Sequence, residues 1–171
     1  PDGVFNLVQG YGDAGNAIVE DDRVETVLFT GSAEVGHKIA SKVGGEPGKI
    51  AACEMGGKNA VVITEEADLD IAVHSAVMSS FKTTGQRCVS SERLIVHEDL
   101  YDEFKERFVD VAEDIAVGDP LEEDTFMGPL IEDDQVEKFK RYNDLAREEG
   151  ANVLVDRADL GDEEIPEGHE E

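Results

Sequence analysis

Apolar positions recur along the chain with two periods, and the switches between them predict its elements. Short apolar or alternating runs bounded by glycine and polar residues mark six candidate strands: "GVFNLV" (3–8), "RVETVLFTG" (23–31), "KIAAC" (49–53), "NAVVIT" (59–64), "RLIVH" (93–97) and "ANVLV" (151–155). Helical spacing fills the intervals. "NAIVEDD" lies between the first two strands, and Val35, Ile39 and Val43 then recur every four residues, with Ser32 placed as an N-cap and Gly44 and Gly45 as a stop. Asp68 opens a third helix with Leu69, Ala72, Val73, Ala76, Val77 and Phe81 on one face. Leu100, Phe104, Phe108, Val111, Ala112 and Ile115 mark a fourth, and Asp134 to Glu149 a fifth. "GDPLEEDTFMGPLI" reads as a loop, and the last sixteen residues as an unfinished acidic loop. The alternation of strand and helix predicts an α/β fold with a parallel sheet and crossover helices.

Composition narrows the class. Hydrophobic residues are 40% of the 171, enough for a packed core. Charge is the extreme feature: 41 acidic against 15 basic residues give a formal net charge of −26. Such a chain is repelled by nucleic acid phosphates and by anionic membranes, so neither is expected as a partner. The acidic residues are spread over the whole length, which fits a solvated surface relieved by salt and points to a halophile's cytoplasmic protein. No apolar run approaches the roughly 18 residues of a membrane span, and no signal peptide opens the chain. It starts at Pro1 rather than Met, which suggests an internal fragment. Cys53 and Cys88 form no C-x-x-C pair, and His37, His74, His97 and His169 fit no metal spacing, so neither a disulfide scaffold nor a metal site is expected.

Three stretches carry candidate chemistry. Gly10, Gly12 and Gly15 satisfy G-x-G-x-x-G after the first predicted strand, a pattern that admits a pyrophosphate and equally fits an ordinary glycine-rich turn. "GSAEVG" (31–36) resembles the opening of a P-loop, but His37 and Lys38 follow where Lys and Ser/Thr are required, which excludes an ATPase and leaves a helix N-terminus with Gly31 and Ser32 offering amides to an anion. Cys88, in "GQRCVSSER", is a nucleophile candidate, since a thiolate is the strongest nucleophile side chains offer near neutral pH. Arg87 beside it could raise the thiolate fraction. A buried cysteine acting as a small hydrophobe is the alternative, which the polar flanks disfavour. Glu54, in "CEMGGK" at a strand end, is a candidate general base among many carboxylates.

Together these pieces resemble the aldehyde dehydrogenase superfamily. "FTGSAEVGHKIA" is similar to its cofactor-loop motif, "EMGGKNAVVI" to its glutamate motif with Met55 where Leu is usual, and "GQRC" to its nucleophile motif. Glu54 and Cys88 are 34 residues apart (88 − 54), the spacing usual in that family. "PDGVFNLVQGYG", "EADLDIAV" and "VGDPLEEDTFMGPLI" extend the resemblance over nearly the whole chain.

The resemblance implies an incomplete aldehyde dehydrogenase fold: residues 1–56 as the C-terminal part of an NAD(P)-binding domain with a Rossmann-like sheet, and 57–171 as the N-terminal part of an α/β catalytic domain. It implies Cys88 as nucleophile and Glu54 as the base that activates water. NAD or NADP would be held by Gly12, Gly15, Thr30, Gly31, Ser32, Val35, Gly36, Met55 and Gly56; Asp13 stands where the family usually has proline, so Gly15 is the least direct of these transfers. The substrate would be a small-molecule aldehyde and the parent a cytoplasmic homo-oligomer, dimer or tetramer. The family's oxyanion asparagine and ribose-binding lysine and glutamates fall outside the chain, so the segment alone is expected to turn over little. Two other readings stand beside this one. In one, Cys88 performs acyl transfer without redox chemistry; in the other, the chain is an inactive remnant or an acidic interaction module.

Overall fold

The computed structural model describes residues 1–156, which fall into two compact units, one up to Gly57 and one from Lys58 onward. The first unit runs α1 (Gly12–Glu20), β1 (Thr26–Gly31), α2 (Ala33–Val43) and β2 (Ile50–Met55). β1 and β2 pair in parallel from Thr26 opposite Ile50 to Gly31 opposite Met55. Parallel neighbours cannot be joined by a tight turn, and α2 supplies the crossover. It starts where predicted: the Ser32 hydroxyl accepts from the Val35 N–H at 3.3 Å, satisfying one of the donors a helix start leaves open. Period-two alternation then decides which strand residues meet α2. Val27, Phe29, Ala51, Cys53 and Met55 are half-buried, while Leu28, Thr30, Ile50, Ala52 and Glu54 are exposed on the opposite face.

The second unit repeats this logic. β3 (Asn59–Ile63) and β4 (Ser91–Val96) pair in parallel, with α3 (Leu69–Phe81) between them, followed by α4 (Glu98–Glu113) and α5 (Asp133–Glu148). Asp68 caps α3, its carboxylate accepting from the Asp70 and Ile71 amides. The β3/β4 register slips between Asn59, opposite Ser91, and Ala60, opposite Arg93, so Glu92 is an extra residue. That bulge explains why Ser91 and Leu94, three apart, both turn inward. The core gathers Ile63 of β3, Val73, Ala76 and Val77 of α3, Phe104 of α4 and Ile115. A run of rings, Phe81 on Phe108 and Phe108 on Phe104, each pair at 5.7 Å between centroids, seams α3 to α4.

Two predicted strands do not form. Residues 3–8 and 151–155 carry no strand, and Val4, Phe5, Leu7 and Val8 are exposed. A strand's backbone groups need a neighbouring strand, and among the described residues β1 and β2 pair with one another alone, as do β3 and β4. The first unit thus has a two-stranded sheet where a three-stranded one was expected. α1 begins at Gly12, earlier than predicted, so the second and third glycines of the G-x-G-x-x-G stretch are helical rather than in a turn. The expected acidic loop, apart from Asp156, lies outside the described residues. No helix among them is long and apolar enough to cross a membrane.

Phe104 is 3% exposed at the centre of the second unit's core. Phe104→Ala is expected to cost about 3–5 kcal/mol, measured by urea unfolding; a loss below about 1 kcal/mol would show that this core does not hold the unit together.

Candidate active site

In the first unit the candidates carried by β1, β2 and the start of α2 converge on one edge, while Gly12 and Gly15 stand apart on α1. Parallel pairing brings the C-terminal ends of β1 and β2 to the same side, with Thr30 beside Glu54 and Gly31 beside Met55. Ser32 and the N-terminus of α2 follow directly. The carboxyl end of a parallel sheet is where ligands bind in open α/β folds, because helix N-termini open there. In α2 the Val35 amide is taken by the Ser32 hydroxyl and the Gly36 amide by the Ser32 carbonyl. The Ala33 and Glu34 amides, which precede the first intrahelical bond, remain directed outward. Lys38, hydrogen-bonded to Glu34 at 2.6 Å, holds that carboxyl below the usual glutamate range and offsets its charge at this helix start.

Gly36 serves packing. It is buried, and a Cβ there would lie 2.5 Å from the Met55 sulfur and 3.4 Å from the Phe29 ring. Its absence lets α2 close onto the ends of both strands, and Met55 is thereby held against the helix rather than swinging freely. Cys53 is spent within the unit: its thiol lies 3.7 Å from the Gly36 carbonyl. Val35 and Gly56 are exposed. Gly12 and Gly15, in the first turns of α1, have nothing within 4 Å of where a Cβ would stand, so no close approach requires glycine at either position.

In the second unit, Cys88 lies in a turn between α3 and β4. The Ser90 amide donates to the Arg87 carbonyl at 3.0 Å, which closes a turn over 87–90 with Cys88 at its second position and the thiol exposed. Among the described residues the Cys88 N–H has no hydrogen-bond acceptor. The loop is held from both ends. Upstream, Thr83, Thr84 and Gly85 all have positive φ (57°, 57° and 65°), a left-handed run that two β-branched residues adopt only under restraint. The restraint is visible: the Thr84 hydroxyl donates to the Gly128 carbonyl at 3.0 Å, and the Ile131 amide donates to the Gln86 side chain at 3.1 Å. Downstream, Ser90 is 3% exposed and the Ser91 hydroxyl meets that of Ser79 at 2.6 Å. Asn59 donates from its carboxamide to the carbonyls of Cys88, at 2.6 Å, and Ser90, at 3.0 Å.

Cys88 and Glu54 therefore belong to different units. Asn59, Thr84 and Gln86 were not singled out from the sequence. Asn59 stands inside the stretch "EMGGKNAVVI", but a side-chain bond to a residue 29 positions away leaves no periodic signal. Among the described residues no group of three or more His, Cys, Asp or Glu could hold a metal ion.

Residues 1–169 match the model of the aldehyde dehydrogenase family. Alpha-ketoglutaric semialdehyde dehydrogenase of Bacillus subtilis is 39% identical over 156 residues, 91% of this chain and 32% of that protein. The 1-pyrroline-5-carboxylate dehydrogenase of Geobacillus thermodenitrificans is 41% identical over 158 residues, 88% of this chain and 30% of that one. The crystal structure of an NAD-dependent aldehyde dehydrogenase from Sinorhizobium meliloti superposes with a TM-score of 0.90 at 38% identity, over 95% of this chain and 32% of that chain. The chain thus spans about a third of the length of the relatives it matches.

Proposed function

The chain belongs to the aldehyde dehydrogenase family, and on that premise we propose that it is an internal segment of an enzyme that oxidises an aldehyde to a carboxylic acid with NAD or NADP. The observation that carries this reading is Cys88, exposed on a turn restrained from both sides, with its own N–H open. Residues 1–56 are the C-terminal part of the cofactor domain and 57–171 the N-terminal part of the catalytic domain, a division supported by the two compact units.

An aldehyde has no leaving group that water could displace, so it must give up hydride. Attack by the Cys88 thiolate on the carbonyl carbon forms a carbon–sulfur bond and a tetrahedral alkoxide, a thiohemiacetal. The Cys88 N–H is the donor this chain offers to that oxyanion. A nicotinamide dinucleotide, when bound, supplies the acceptor for the hydride. The acyl group then remains on Cys88 as a thioester. Glu54 takes a proton from water, the resulting hydroxide adds to the acyl carbon, and the carbon–sulfur bond breaks to release the acid and the Cys88 thiolate, the proton on Glu54 passing to solvent. The edge formed by Gly31, Ser32 and the start of α2 fits the cofactor's pyrophosphate, because outward amides and a positive helix end face it. Thr30, Val35, Gly36, Met55 and Gly56 flank that anchor, with Met55 held by Gly36 for the nicotinamide side, and Gly12 and Gly15 contribute from α1. The enzyme is a cytoplasmic homo-oligomer, dimer or tetramer, as the family resemblance implies.

In the complete enzyme, mixed with aldehyde and cofactor, Cys88→Ser should abolish formation of reduced nicotinamide, followed by its near-ultraviolet absorbance. Glu54→Gln should keep a single burst of it while steady turnover falls about 10²- to 10⁴-fold. A Cys88→Ser enzyme as fast as its parent would overturn the nucleophile assignment, and acid formed without reduced cofactor would favour the non-redox acyl transfer reading. The isolated 171-residue segment should show little or no turnover under the same assay in high salt; steady activity equal to the complete enzyme's would overturn the fragment reading.

We also assign the protein to a halophile. Exposed ion pairs such as Lys38 with Glu34 and Arg107 with Asp70 add little stability and weaken in salt. With 41 acidic against 15 basic residues, carboxylates far exceed the cations that could neutralise them, and their mutual repulsion dominates. Raising salt from about 0.01 M to about 1 M shortens the screening length from about 30 Å to about 3 Å. The midpoint of thermal unfolding should rise over that range, and a flat or falling midpoint would sink the assignment.

A further inference from the structure

We propose that Asn59 is a positioning residue for the Cys88 nucleophile, its carboxamide clamping the backbone on which the thiol stands. The inference rests on the reading of Cys88 given above.

The clamp uses both hydrogens of one NH2 group, one to the Cys88 carbonyl at 2.6 Å and one to the Ser90 carbonyl at 3.0 Å. Both partners are acceptors only, so the carboxamide must present its nitrogen and its orientation carries no ambiguity. The Cys88 carbonyl belongs to the peptide that follows the cysteine, so bonding it sets ψ at residue 88. The Ser90 carbonyl belongs to the peptide that enters β4. Restraints two residues apart fix the arc between them, and with it the direction in which the Cys88 Cβ leaves the backbone and the positions open to Sγ.

The place of Asn59 in the sheet explains how one side chain reaches both groups. It is the first residue of β3, opposite Ser91, at the point where the register slips and regular ladder bonds are interrupted. Its side chain continues the pairing beyond the strand's start, toward the turn. The base is itself fixed: the Arg93 guanidinium donates to the Lys58 carbonyl, at 3.1 Å from Nε, and Lys58 pairs with Glu92. Thr84 and Gln86 hold the upstream arm and the pair of Ser79 and Ser91 the downstream strand. Asn59 is the side chain that reaches Cys88 itself. A thiol that must meet a carbonyl carbon at bonding geometry is sensitive to such a restraint, since a misplacement of about 1 Å costs on the order of 10²-fold in rate.

The test uses the complete enzyme carrying Asn59→Ala, which removes both donors, or Asn59→Asp, which sets a carboxylate against two carbonyl oxygens. Both variants should lose about 10- to 100-fold in kcat with the KM for the dinucleotide within about twofold of the parent's. Alkylation by iodoacetamide, read at each cysteine by peptide mass, supplies a second measure that needs no turnover. The rate at Cys88 should change in both variants while that at Cys53 stays constant, and in Asn59→Asp the pH at which Cys88 becomes reactive should move upward, because a negative charge beside the turn disfavours the thiolate. Parental kcat in Asn59→Ala, or unchanged Cys88 alkylation in both variants, would overturn the proposal. Equal changes at Cys53 and Cys88 would also overturn it, as the mark of a general loss of structure. Cys88→Ser serves as the separate control: its activity decides whether Cys88 is the nucleophile, whereas the alkylation rates judge the clamp whichever way that control falls.

Discussion

Parallel strand pairing is the constraint from which the rest of the architecture follows. Two parallel neighbours cannot be joined by a short turn, so each pair needs a crossover long enough to return along the sheet, and a helix is the segment that satisfies its own backbone on the way. α2 does this between β1 and β2, and α3 between β3 and β4. Each crossover buries one sheet face and leaves chemistry at an edge. In the first unit that edge is the carboxyl end, where Thr30, Gly31, Ser32, Glu54 and Met55 come side by side. In the second it is the start of β4, where the return from α3 must turn sharply and carries Cys88.

The two edges are built differently, in a way that suits the tasks proposed for them. The proposed cofactor edge relies on backbone amides and on a glycine that admits close packing, since Gly36 lets Met55 lie against α2. The Cys88 turn relies on side chains that bond to backbone carbonyls across long sequence separations, from Asn59, Thr84 and Arg93. Amides at a helix start suit an anion that needs many weak donors. A nucleophile, the role proposed for Cys88, needs one direction held firmly, and a network of side-chain bonds provides that at the cost of two threonines in left-handed backbone.

The charge of the chain is separate from both edges. Its core residues are ordinary aliphatic and aromatic side chains, and among the described residues the acidic side chains of α4 and α5 are exposed. Net charge speaks to solubility and to the salt a protein needs, and fold is decided by the buried pattern. Over 95% of its length the chain superposes on a solved aldehyde dehydrogenase structure only 38% identical to it.

Periodicity alone was enough for α2, α3 and α4, because helices close their hydrogen bonds locally and reveal their buried face every third or fourth residue. Ser32 and Asp68 were legible as helix starts for the same reason. Cys88 and Glu54 were singled out by the spacing and wording of their motifs, and the roles given to them are the proposal made above. What lay beyond the sequence depends on partners far away in it. Residues 3–8 and 151–155 look like strands yet form none, since a strand is completed by a neighbour and not by its own composition. The bulge at Glu92, the seating of Met55 over Gly36 and the reach of Asn59 to Cys88 were decided by tertiary structure, because each is a contact between segments that only the packed fold brings within bonding distance.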